Sequence, residues 1–267
     1  MRFMHDWIIA LILGIVEGIT EFLPVSSTGH LLITEKFLGS HQTDLFNVVI
    51  QCGAVIAVLP LFPERLHKFF HELGKPETRD YLVKLLVAFA ITGAGGLVVD
   101  KLKIKLPEEL TPVAWALLLG GLAFLAVEFF LRGKKLGTEI TWAIVVAVGL
   151  GQLVAAVFPG ASRSGTTIIL SLLLGLSRPA ATEFSFLVGI PTMLAASGFK
   201  IFKALHHPVA DAPKENWGLV LLASVIAAGV SFVAVKWLLR YVQTHTFNAF
   251  GWYRVALAAG IFLLLAK

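Results

Sequence analysis

Six apolar stretches, at 45–62, 82–99, 113–131, 184–205, 217–239 and 247–266, are each long enough to cross a bilayer and carry charge only towards an end. A helix needs about 20 mostly apolar residues to span the hydrocarbon, and every backbone polar group must then be satisfied within the protein. Nothing else in the chain constrains its fold as strongly. Of its 267 residues 57% are hydrophobic and 15% charged, against roughly 25% charged in a soluble domain. Disorder, collagen and coiled coil are excluded by the same figures. The expectation is one all-α polytopic membrane domain over residues 1–267, with about six transmembrane helices. The net charge of +5 lies in short loops between apolar runs, where it meets membrane lipids, so no nucleic-acid partner is expected. Cys52 stands alone in an apolar run, which gives no disulfide or redox chemistry. Acids interrupt the first apolar stretch and no small-residue cleavage site follows, so no removable signal peptide is expected.

Two further apolar stretches are broken. Residues 7–38 contain Glu17, Glu21, Pro24 and Ser26-Ser27-Thr28-Gly29-His30; residues 141–176 contain Pro159-Gly160 and Ser162-Arg163-Ser164-Gly165-Thr166-Thr167. Each is too long for one span and too polar at its centre to face lipid. Irregular backbone at membrane depth is tolerated only where protein or a water-filled cavity surrounds it. Both therefore read as re-entrant helical hairpins. Sliding the chain by 135 residues superposes Gly14 on Gly149, Glu17 on Gln152, Pro24 on Pro159 and Ser27 on Ser162. With three spans between them, the hairpins enter from opposite faces, as in an inverted repeat: a first unit over about 1–110 and a second over about 135–267. Basic residues divide evenly between the two faces, so charge does not orient the chain.

The broken segments carry the chemistry. Glu17 and Glu21 lie four apart on one helix face, with Cβ atoms about 5–6 Å apart. Buried together they repel, and a divalent cation, Mg²⁺ or Ca²⁺, removes that conflict; a protonated, hydrogen-bonded pair is the plainer alternative. Ser26 or Ser27 suits a helix cap. Capping explains one hydroxyl, not three followed by a histidine. A spacing of three places His30 on the face of Ser27, where a base activates a nucleophile. In the second segment Gly160, Ser162, Ser164 and Thr167 offer hydroxyls and half-helix N–H groups to an anion, as do Ser26 and Thr28 in the first. Arg163 adds a fork matched to phosphate oxygens, unless it merely neutralises a buried glutamate. These are the parts of a metal-assisted phosphoryl transfer on a phosphate with a long apolar tail. A lipid-flipping transporter and a pore or scaffold are the rival classes.

Other features take the plainer reading. Thr92-Gly93-Ala94-Gly95-Gly96 is helix packing, His206-His207 has no partner spacing for a metal, Glu128 and Arg132 form an i,i+4 pair at a span end, and Arg254 after Trp252-Tyr253 reads as an interfacial anchor, although an arginine within a span could also reach the site.

The run Glu17-Gly18-Ile19-Thr20-Glu21-Phe22-Leu23-Pro24-Val25-Ser26-Ser27-Thr28-Gly29-His30 closely resembles the bacterial undecaprenyl-diphosphate phosphatase family of the bacitracin-resistance type. So do Pro159-Gly160-Ala161-Ser162-Arg163-Ser164-Gly165-Thr166-Thr167 and its continuation Glu183-Phe184-Ser185-Phe186-Leu187. The resemblance covers essentially the whole chain. It implies an inner-membrane enzyme that hydrolyses a polyprenyl diphosphate, undecaprenyl diphosphate, to the monophosphate carrier of cell-wall synthesis. It also implies dependence on Mg²⁺ or Ca²⁺ and a site open to the periplasm. Position by position, the family's functional residues fall on Glu17, Glu21, Ser27, His30, Ser162, Arg163 and Thr167. The expected reaction has Ser27 attack while His30 takes its proton and Arg163 stabilises the spreading charge; attack by His30 or by water fits the same residues. The residues leave a homodimer open.

Overall fold

The computed structural model describes residues 5–102, 109–206 and 216–266. Arg2, Lys103, Lys105, His207, Lys214 and Lys267, part of the charge and loop readings above, lie outside the described residues. Among those described there are eleven α-helices, one short 3-10 turn and no strand. Six helical stretches are long and apolar enough to cross a membrane, and they coincide with the six apolar runs of the sequence. They are α3 (Asp44–Val58, extended by the turn to Leu61), α5 (Pro76–Lys101), α6 (Leu110–Phe130), α9 (Arg178–His206), α10 (Trp217–Tyr241) and α11 (Asn248–Leu265). A short helix, α4 (Pro63–His71), joins α3 to α5. The outward faces are apolar: Leu119, Leu221, Val225, Val233 and Leu263 are all more than 60% exposed. Such a surface is stable only against lipid. The chain is a multi-pass membrane protein.

Both interrupted stretches fold as helix, break, helix. The first is α1 (Asp6–Thr20) followed by α2 (Ser27–Leu38); the second is α7 (Trp142–Val157) followed by α8 (Arg163–Leu173). The second is closed at its base, where Gly137 accepts from Ser177 N–H at 2.7 Å and donates to the Gly175 carbonyl at 2.9 Å. Each break restarts its helix in the same way. Ser26 caps α2 with its hydroxyl on Gly29 N–H at 3.3 Å, and Ser162 caps α8 with its hydroxyl on Gly165 N–H at 3.1 Å. Among the described residues these are the two non-glycine positions with positive φ, 75° and 67°. Side chains there strain the backbone by about 1–3 kcal/mol, which each cap bond partly offsets. The cap pairing makes Ser26, not Ser27, the counterpart of Ser162. The second break has one more residue between its proline and its cap, so the 135-residue register slips by one beyond the prolines.

The two interrupted stretches pack alike. α1 runs along α10, and α7 along α5; α10 also lies on α3, and α5 on α9. A Cβ on Gly14 would stand 2.6 Å from the Ala223 carbonyl, and one on Gly149 would stand 3.0 Å from the Ala88 carbonyl. Each residue of one crossing stands 135 positions from its counterpart in the other. One turn on, Gly18 faces Val230, while Leu153 faces Gly95, the small and large partners exchanged. α3 meets α9 centrally, and α11 packs along α6.

Candidate active site

The two breaks meet. Residues Glu21, Ser26, Ser27 and Thr28 of the first and Gly160, Ser162 and Arg163 of the second line one cavity of about 220 Å³. Gln51 of α3, Thr92 of α5, Gln152 of α7 and Thr192 of α9 complete its polar wall. The N-termini of α2 and α8 therefore open on the same space. A helix leaves its first N–H groups unpaired and carries about half a positive charge there, so two such ends form an anion site. Gly160 stands at φ 93°, where a Cβ would meet the Val113 carbonyl at 2.7 Å, so the break fits against α6 only without a side chain.

Ser27 donates its hydroxyl to Glu21 Oε2 at 2.6 Å. Arg163 Nη2 reaches the other oxygen of the same carboxylate, Oε1, at 3.3 Å, and Nη1 the Ser185 carbonyl at 3.4 Å. Both contacts lie at the long end of the hydrogen-bond range, and Arg163 Nε is buried with no partner. The guanidinium is held near the cavity but not saturated. Glu17 is fully buried, and neither of its carboxylate oxygens receives a hydrogen bond. Its counterpart Gln152 donates to Thr92 Oγ1 at 2.8 Å. At the crossing of α1 on α10, Ala227 stands where Thr92 stands at the crossing of α7 on α5.

The expected arrangement changes at several residues. His30 does not engage Ser27 and does not line the cavity: Nδ1 meets the Ser26 carbonyl and Nε2 the Tyr253 hydroxyl, both at 2.7 Å. A helical side chain leans back towards the preceding turn, which sets the ring on Ser26 and leaves Ser27 to Glu21. Ser164 and Thr167 are fully buried on the inner face of α8. Ser164 Oγ donates to the Leu23 carbonyl at 3.3 Å, and Thr167 Oγ1 to the Arg163 carbonyl at 2.9 Å, with Ser185 Oγ beside it. They hold the two breaks and α9 together and do not face the cavity.

Arg254 is no interfacial anchor. Fully buried, it donates from Nη1 to the Pro24 carbonyl at 3.2 Å, and from Nη2 to the carbonyls of Gly160 at 3.1 Å and Ala161 at 3.0 Å. These are the carbonyls that the breaks remove from helical ladders, and buried as they are they need a donor. Its nearness to Trp252-Tyr253 suggested the interface; an arginine inside a span is the stronger signal. Glu128 pairs with Arg178 and accepts from Phe247 N–H at 2.8 Å, while Arg132 sits over the Phe129 ring. Thr92 packs as expected but also lines the cavity. Gln51 and Gln152 were missed as wall residues, although a lone amide in an apolar run is the signal that finds them.

A larger open cavity, about 480 Å³, lies by Glu35, Lys36, His41 and Glu109. Its buried Glu35 is already bonded to Asn47 and paired with His41.

The chain is similar in sequence to proteins already named. Undecaprenyl-diphosphatase of Rhizobium etli (strain CIAT 652) is 49% identical over 260 residues, 97% of this chain and 96% of that one. The protein of the same name from Xylella fastidiosa (strain 9a5c) is 50% identical over 262 residues, 98% of each chain. That from Xanthomonas axonopodis pv. citri (strain 306) is 49% identical over 263 residues, again 98% of each. The family of bacitracin resistance protein BacA matches residues 10–260. The chain belongs to that family.

Proposed function

We propose that the chain hydrolyses undecaprenyl diphosphate to undecaprenyl phosphate and inorganic phosphate, returning the lipid carrier to cell-wall synthesis and conferring bacitracin resistance. The observation that carries this reading is the Ser27 hydroxyl on Glu21 at 2.6 Å, in a cavity that also holds Arg163 and two helix N-termini. The diphosphate is anionic and its tail apolar, so a polar cavity within a lipid-facing bundle suits both ends.

Ser27 Oγ attacks the terminal phosphorus as its proton passes to Glu21. An Oγ–P bond forms, the bond from phosphorus to the bridging oxygen breaks, and undecaprenyl phosphate leaves. Water then attacks the phosphoserine, the Oγ–P bond breaks, Oγ takes back the proton held on Glu21, and dihydrogen phosphate leaves. Arg163 and the N–H groups at the starts of α2 and α8 receive the charge that spreads over the equatorial oxygens. Glu21 replaces His30 as the proton acceptor because it alone holds the Ser27 hydroxyl.

The residues fit a divalent cation, Mg²⁺ or Ca²⁺. Glu17 offers two enclosed oxygens without donors, and Glu21 follows one turn later. Among the described residues no cluster of three ligating side chains exists, so Glu17 and Glu21 are the protein groups that would hold such an ion. Such an ion, when bound, neutralises phosphate charge. Glu17→Gln should raise the Mg²⁺ or Ca²⁺ concentration needed for half-maximal activity by about tenfold or more. An unchanged titration removes Glu17 from that role.

The exchanged packing of α1 on α10 and α7 on α5 supports an inverted repeat with two re-entrant hairpins, the site lying near mid-membrane. Family resemblance points to the bacterial inner membrane and a mouth towards the periplasm. Phosphate release from the lipid diphosphate by pure protein in detergent tests the whole reading. Failure to release phosphate at any Mg²⁺ or Ca²⁺ concentration overturns it in favour of a carrier-binding transporter or scaffold.

A further inference from the structure

The mechanism above leaves His30 without a chemical part, although it stands one turn from the nucleophile. Its two ring nitrogens are both engaged at 2.7 Å. The Ser26 carbonyl can only accept, so Nδ1 carries the proton. A neutral ring then presents Nε2 as an acceptor, and the Tyr253 hydroxyl donates to it. The rings stack with centroids 5.7 Å apart and planes within 4° of parallel. No lone pair is left for Ser27.

Ser26 is the residue held at φ 75°, and its own hydroxyl caps α2. A strained backbone persists only where its surroundings hold it. His30 grips the carbonyl of that residue, and the next residue in the chain is Ser27. Tyr253 grips His30 from α11, and its neighbour Arg254 grips Pro24, two residues before Ser26. Two consecutive side chains of one helix thus secure the turn that aims Ser27 Oγ at Glu21.

We infer that Tyr253 and His30 are positioning residues: through the Ser26 carbonyl they set the direction of the Ser27 hydroxyl, and His30 takes no proton in the reaction. This rests on the reading of Ser27 as nucleophile and deepens it. Asparagine places an N–H donor near the position of Nδ1 but cannot take a proton at neutral pH. His30→Asn should therefore keep kcat within about tenfold of wild type, whereas His30→Ala, with no donor for Ser26, should lose about 10²-fold or more. Tyr253→Phe keeps the ring and removes the hydroxyl; kcat should fall about tenfold with KM for undecaprenyl diphosphate and thermal stability unchanged.

The test compares the three variants with wild type in detergent and adds ¹⁵N NMR of the histidine-labelled protein, with His30 assigned by its loss in His30→Asn. Activity in His30→Asn well above His30→Ala, together with an Nδ1–H tautomer, supports the inference. His30→Asn as inactive as His30→Ala, in protein of wild-type thermal stability, makes His30 a base and overturns it. An Nε2–H tautomer overturns it independently of turnover. A wild-type protein that releases no phosphate overturns the reaction itself, and is told apart because the tautomer still reads out.

Discussion

The breaks at 21–26 and 158–162 use one backbone device for opposite chemistry. Each restarts a helix from a serine at positive φ whose hydroxyl takes the third N–H of the new helix. The residue after the cap then differs: Ser27 in the first, Arg163 in the second. The helices leading in differ as well. α1 brings Glu17 and Glu21, whereas α7 brings the neutral Gln152, already bonded to Thr92. One half supplies a serine hydroxyl bonded to a carboxylate and the negative charge, the other supplies positive charge and hydroxyls. Facing each other across a cavity, they can hold an anion and attack it, which neither does alone.

The residues after the caps carry the largest expected effects. Ser27→Ala should lower kcat on the order of 10³- to 10⁴-fold while lipid diphosphate still binds, since the hydroxyl and its proton transfer vanish together. Retention of a few per cent of the rate would hand the attack to water.

Its counterpart Arg163→Lys keeps the charge and loses the fork. Turnover should drop by about 10²-fold with the fold intact, as when other transition-state donors are lost. Near-wild-type turnover would leave Arg163 only the neutralisation of Glu21.

A smaller effect is expected one helix away, where Gly189 of α9 makes room for the Arg163 guanidinium. A methyl there collides with Nη1 and must displace it. Gly189→Ala should reduce kcat about tenfold and stability by about 1–3 kcal/mol; an unaltered kcat with Arg163→Lys strongly impaired would show that the guanidinium can shift without loss.

The caps themselves sharpen the likeness. Ser26→Ala and Ser162→Ala should each cost about 1 kcal/mol, measured as matching losses in thermal stability. Clearly unequal losses would mean that the two breaks are held by different forces.

Much of this was legible in the residues. Uninterrupted apolar length marks six spans wherever a chain must satisfy its backbone in lipid, and Pro24 and Pro159 mark the breaks because proline ends a helix locally. The caps and the polar residues beside them follow from the same short stretches. That is why Glu21, Ser27 and Arg163 could be named before any contact was known. The register of 135 held along α1 and α7, where helical spacing is rigid. It slipped at the breaks, where one added residue costs nothing locally.

What the tertiary structure decided was partnership. Ser27 bonds to Glu21 and not to His30, whose imidazole leans onto the Ser26 carbonyl and is held there by Tyr253, 223 residues away. Arg254 became the tie between the breaks because α11 packs along α6 and brings it to Pro24 and Gly160, 230 and 94 residues distant. Local pattern fixes which helices form and where they stop. Which polar group answers which is set by whatever donor packing brings within 3 Å or so, and no periodicity carries that information.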